Sequence, residues 1–203
     1  MSLIKCLHLE NSAVSVVLFL AILGCSLAGL LDRKFFMKLF FHPYSVVNDG
    51  QYYRLLSSDL VHVNWVHLLV NLLMLYAGCV GLEGFLSEKS AIGHLIFSGI
   101  YLVSHFVGII LITIRHYRDF GFSSAGASGS IMGCLFCYMV IQPDVVAFYV
   151  PVVGPVNNIF AGLIFIVMLI RLQFKDQQVF NHELHFYSGA AGLVLGVLLK
   201  NWL

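Results

Sequence analysis

Gly126-Ala127-Ser128-Gly129 closes a polar segment that begins at Arg115 and opens an apolar run that continues to Gln142. A serine between glycines at the start of a helix has an uncrowded hydroxyl. The first-turn backbone N–H groups have no partner within the helix and can point at a developing anion. The same four residues also read as a plain helix start built from small side chains, so their surroundings must decide between the two. The run is short. Residues 128–142, which Pro143 ends, reach about 22 Å at ~1.5 Å each, against a hydrocarbon core of ~30 Å. With its far end at the opposite surface, Ser128 starts several ångströms below the near one, and that demands a wet cavity above it.

The rest of the chain belongs in a bilayer. Its 203 residues are 60% hydrophobic and 10% charged, with a mean hydropathy of +0.91, more apolar surface than a water-soluble domain of this length hides. A net charge of +1 gives no reason to invoke nucleic acid. The five cysteines (Cys6, Cys25, Cys79, Cys134, Cys137) mostly lie in apolar runs and read as small packing residues, not a disulfide framework. Hydropathy predicts spans at about 12–31, 64–82, 90–114, 128–142, 150–172 and 183–203, with no soluble domain on either side. The first run lacks a clear small-residue cleavage site and is expected to remain as a span. Pro151 and Pro155 blur the start of the fifth, whose clean apolar part is 159–170. Segment 32–63 mixes Lys, Arg and Asp with aromatics such as Phe36, Phe40 and Tyr52, and is expected to lie at or partly in the interface.

Polar side chains inside spans are costly, so each asks for a reason. His67 and Asn71, four apart, share a helix face in the second span. Two donors there suit one developing oxyanion, or they are interhelical glue. In the sixth span His185 heads a strip of small residues (Ser188, Gly189, Gly192, Gly196), and Gly129 and Gly133 make a similar strip below Ser128. Two such helices packed together bring Ser128 and His185 within hydrogen-bond reach, a nucleophile beside a base; simple close packing is the other reading. His94 and His105, on one face of the third span, read as packing or cavity-lining groups. His182 and His185 have the spacing of a chelating pair, but no third ligand stands at an obvious distance.

Together these pieces resemble the rhomboid intramembrane serine proteases, short bacterial type, from about Tyr44 to Gly196. The family's His-x4-His-x3-Asn pattern stands as His62, His67, Asn71, and its Gly-x-Ser-Gly motif as Gly126 to Gly129. Its aromatic-Arg pair stands as Tyr53-Arg54, and its glutamate at the end of the second span as Glu83. The sixth-span pattern stands as His185, Ser188, Gly192, with serine where the family has its first glycine; Met132 stands where the family often has an aromatic. The resemblance implies an all-α, polytopic, six-transmembrane-helix bundle, a single membrane domain over 1–203 with a partly membrane-embedded first loop. It implies a serine-type endopeptidase. Ser128 is the nucleophile and His185 the base of a dyad without an acid; the Ser128 N–H, His67 and Asn71 hold the oxyanion. Supporting roles fall to His62, to Gly126, Gly129 and Gly192, and to Arg54 and Glu83, which pin the first loop. The fifth span and the loop from Arg171 to His182 are the gate and lid. Substrates are transmembrane segments of other proteins in the lipid bilayer, with no metal or organic cofactor. Oligomeric state is left open.

Charge distribution pulls the other way on orientation. Lys5, Lys89 and Lys200 lie on the side of the N-terminus and eight of the Lys and Arg residues on the Ser128 side, which by the positive-inside rule is cytoplasmic. The family arrangement has cytoplasmic termini and a site opening to the extracytoplasmic side of a bacterial inner membrane. That arrangement is the expectation adopted, Arg54 being assigned a structural role. Two alternatives remain: a catalytically inactive rhomboid-like binder of membrane helices, and a His-containing transporter. The intact set of reacting groups disfavours the first. The lack of a carboxylate set in the spans disfavours the second.

Overall fold

A computed structural model describes residues 11–151, 154–173 and 182–202 of the chain. It is mostly helical. Helix α1 (Ala13–Leu31) is apolar all round and leads to a first loop built of short helices: α2 (Arg33–Leu39), α3 (Pro43–Asn48), α4 (Arg54–Ser57) and a 3-10 turn (Ser58–Leu60). Then come α5 (Trp65–Lys89), which is π-helical over Leu75–Val80, and α6 (Gly93–His116). Helix α7 (Ser128–Ile141) is followed by a hairpin of β1 (Val146–Val150) and β2 (Gly154–Asn157), then α8 (Asn158–Gln173) and α9 (His182–Lys200). Among the described residues, α1, α5 and α6 are long and apolar enough to cross a membrane; α7 and α8 are shorter and α9 more polar in its first turn.

Helix α7 is the hub. Eleven of its residues are buried, the signature of a helix that is apolar all round and surrounded by protein. Its outer neighbours α1, α5 and α6 share a core with it through Ile22, Leu72, Leu75, Leu82, Phe97 and Ile131. Helix α9 lies on its other side, where the small strips meet. A Cβ on Gly192 would run into the Gly133 carbonyl, and one on Gly196 into Val140 and the Cys137 carbonyl. Ser188, in the place of a glycine, fits between Gly108 of α6 and Gly129 of α7. Three backbones thus approach closely because nothing larger than a serine side chain separates them at these points.

Three sequence expectations need correction. The helix of the second span does not stop at 82 but runs on to Lys89, and Glu83, which the resemblance puts at the end of that span, is fully buried. Nor does Glu83 pin the first loop. Its carboxylate accepts the Val14 and Ser15 N–H groups (2.9 and 2.7 Å) and lies 2.7 Å from His94 Nδ1, so it caps α1, whose Ser12 makes no side-chain cap. The fifth span was expected from 150, but α8 begins at Asn158 after the hairpin. Antiparallel pairing runs from Val146↔Asn157 to Val150↔Gly154 with an irregularity between Val146 and Phe148. Apolarity alone does not separate a β-branched and aromatic strand from a helix. Asn158 ties the hairpin back to α7, its Nδ2 donating to Gln142 O (2.8 Å).

Candidate active site

The first loop is the frame on which the site is mounted. Arg54 is buried, and its guanidinium donates to the Met37 and Phe40 carbonyls (3.1 and 2.7 Å) and to Gln51, closing α2 onto α4. Ser57 adds a bond to Leu39 O (2.8 Å). A two-way backbone bridge between Phe41 and Ser124 (2.8 and 3.0 Å) then straps the segment leading to Ser128 onto that frame.

Three contacts set the approach to the serine. The Gly126 N–H donates to Ser58 O (2.9 Å). Gly126 has φ +119°, and a Cβ there would meet His67 Cε1 at 2.8 Å, so both backbone conformation and space call for glycine. The Ala127 N–H donates to His62 Nε2 (3.4 Å), so the His62 proton sits on Nδ1 and is given to Ser26 Oγ (2.9 Å), whose own hydrogen goes to Leu60 O (2.9 Å). Burial, reinforced by the neighbouring His67, pushes the His62 pKa down to about 4 against an opposing pull from Asp59, in keeping with a neutral ring that accepts.

Ser128 is the first residue of α7. The helical hydrogen-bond ladder starts with Ile131 N–H to Ala127 O (3.0 Å), so the N–H groups of Ser128, Gly129 and Ser130 have no acceptor within the helix. Ser128 is half-buried while Gly126, Ala127, Gly129 and Ser130 are buried. Its Oγ lies 2.6 Å from His185 Nε2, on the first turns of α9. Both line an open cavity of about 1320 Å³, together with His67, Asn64, Phe122 and Phe186. Among the described residues His185 forms no ion pair. Among the same residues, no three His, Cys, Asp or Glu side chains converge as a metal site.

The expected oxyanion donors are placed unequally. His67 lines the cavity with its ring against Gly126 and T-shaped to His62 (centroids 4.9 Å). Asn71 is buried one turn further along α5, and one of its N–H groups goes to His67 O (2.8 Å) rather than to the cavity. Of the supporting glycines, Gly129 faces Ser188 and Leu184, and Gly192 faces Gly133.

Sequence reasoning missed a buried polar cluster of Asp59, Tyr101, His105 and Ser130, and left His105 as a packing or cavity-lining group. A signal was present: an aspartate three residues before His62 in a largely apolar run, and Tyr101 and His105 four apart on one helix face. At the cavity mouth, Glu183 joins Arg115 (3.4 Å) and His116 (3.2 Å), tying the end of α6 to the helix that carries His185.

The sequence profile of the rhomboid domain matches residues 49–202, about three quarters of the chain. The chain belongs to the rhomboid family, whose members are in general intramembrane serine proteases, and it is an integral membrane protein. No curated protein matches it.

Proposed function

We propose that the protein is a serine endopeptidase that cleaves transmembrane segments of other membrane proteins with a Ser128–His185 dyad. The observation that carries this reading is the 2.6 Å approach of Ser128 Oγ to His185 Nε2 at the wall of an open cavity, on a helix N-terminus. Ser128 Oγ attacks the scissile carbonyl while His185 Nε2 takes its proton and then delivers it to the leaving amine. The Ser128 N–H and His67 donate to the oxyanion; Asn71 contributes through its second N–H and by holding the His67 carbonyl. Water entering from the cavity repeats the sequence to release the acyl group.

Helices α1, α5, α6, α7, α8 and α9 make six spans, with the termini in the cytoplasm of a bacterial cell and the site opening on the extracytoplasmic side of the inner membrane. The burial of Arg54 against three acceptor groups supports leaving it out of the charge count that argues for the reverse. A reporter fused after Leu203 that reads as periplasmic would overturn this orientation. Helix α8 and the loop after it form the gate through which a substrate helix enters; residues 174–181 of that loop lie outside the described residues.

The decisive experiment is incubation of purified protein in liposomes with a single-span substrate, beside labelling by a serine-reactive phosphonate. Cleavage and labelling by wild type that Ser128→Ala and His185→Ala each reduce by at least ~10³-fold support the protease. Folded wild type that neither cuts nor labels makes it a binder of membrane helices.

A further inference from the structure

We propose that Asp59, His105 and Ser130 act as positioning residues for the Ser128 nucleophile, holding the first turn of α7 from behind without touching the cavity; this rests on the protease reading above. Asp59 lies in the 3-10 turn of the first loop, His105 and Tyr101 on α6, and Ser130 on α7 two residues beyond Ser128. All four are at least 95% shielded. Asp59 Oδ2 accepts the Tyr101 hydroxyl (2.5 Å) and Oδ1 accepts that of Ser130 (2.9 Å). His105 Nδ1 lies 3.1 Å from both Asp59 Oδ1 and Ser130 Oγ, and Nε2–H donates to Leu55 O.

With Nε2–H given to a carbonyl and the Ser130 hydrogen given to Asp59, one proton remains to be shared between His105 Nδ1 and Asp59 Oδ1. Burial works against an ionised Asp59. The charge of His105 and the hydrogen bonds from His105, Tyr101 and Ser130 outweigh it and hold the carboxyl below its ordinary range. An ion pair in such a place is weak evidence for stability, since apolar side chains of the same volume often do as well. Its use is geometric.

A Ser-His-Asp set invites a second catalytic reading, which the geometry excludes. Serine and aspartate share one imidazole nitrogen instead of flanking the ring, the other nitrogen is taken by Leu55 O, and none of the three lines the cavity. What the cluster does is complete a two-point grip. Ser58 O holds the Gly126 N–H before the nucleophile, and the adjacent Asp59 holds the Ser130 hydroxyl after it. Through Tyr101 and His105 the same carboxylate ties α7 to α6, and α9 rests on both, Ser188 lying against Gly108 and Gly129. The distance from Ser128 to His185 is therefore referred to one side chain in the first loop. Misplacing a reacting group by about 1 Å can cost ~10²-fold in rate.

The test compares wild type, Ser130→Ala, Ser130→Thr, Ser130→Val and Tyr101→Phe in liposomes, with cleavage kinetics, phosphonate inactivation rate and melting temperature measured on each. Thr and Val share a shape and differ in the hydroxyl; Ala and Phe add no volume. The expected result is a fall in kcat and inactivation rate of roughly tenfold or more for Ala and Val, with KM within about twofold. Thr recovers most of the rate, and Tyr101→Phe loses less than Ala. If wild type is active and Ser128-dependent while Ser130→Ala, melting lower or not, keeps its kcat per labelled site within about twofold, the inference is overturned and the protease reading stands. A wild type inert to both substrate and probe overturns the protease reading and this inference with it.

Discussion

Two neighbours of α7 meet it in different ways. Helix α9 packs backbone on backbone, with Gly192 on Gly133 and Gly196 on the Cys137 carbonyl, so neither helix moves along the other without a collision. Helix α8 meets it through Gly162 against the end of Met139, a long unbranched side chain with several rotamers, and carries Phe160, Leu163, Ile164 and Val167 exposed. The two residues of the proposed dyad ride on the stiff pair. The helix proposed as the gate is the one that meets α7 through a flexible side chain, an arrangement that suits a gate moving while the spacing of Ser128 and His185 is kept.

This contrast should break most visibly at Gly192. Gly192→Ala puts a Cβ into the Gly133 carbonyl and is expected to cost about 3 kcal/mol and at least ~100-fold in cleavage, read by thermal melting in detergent beside kinetics. Gly126→Ala should follow. A left-handed backbone costs a non-glycine residue about 1–2 kcal/mol, and the Cβ displaces His67, so phosphonate labelling should fall further than the melting temperature.

Acid comes next. His62 is neutral in the fold with a pKa of about 4, against 6.5 unfolded, so the unfolded chain binds the extra proton between those values. The stability that His62 contributes is whole above about pH 6.5, is lost as pH falls toward 4, and is down by about 2 kcal/mol at pH 5. Melting curves at pH 7.5 and 5.0 should show the drop, and His62→Gln should shrink it. The smallest effect belongs to the α8 side: in Gly162→Ala the new Cβ meets the flexible end of Met139 first and should change stability by less than about 1 kcal/mol. Its cleavage rate should stay within a few-fold of wild type, and a loss as large as that of Gly192→Ala would erase the distinction between the two neighbours.

The candidate site was legible in sequence to the extent that its residues carry local signals. Gly126 and Ser128 stand at a polar-to-apolar boundary, and His185 heads a strip of small residues whose mate lies below Ser128. Arg54 was assigned to the first loop, where it closes α2 onto α4. Glu83 was assigned to the first loop instead of to the start of α1, because nothing local announces that it caps a helix 68 residues away. The hairpin at Val146–Asn157 was hidden for a different reason: strand and helix bury the same apolar side chains, and length and β-branching only tilt the choice.

Membrane residence, the helical framework and the helix that begins at Ser128 are matters of transfer free energy and single-helix periodicity, and the amino-acid sequence by itself determined them. Which polar groups meet across helices is set by docking: Asp59 finding Ser130 and His105, and Glu83 finding the start of α1. A hydrogen bond forms or fails over a few tenths of an ångström, and no pattern along one helix carries that precision between two, so the tertiary structure alone decided it.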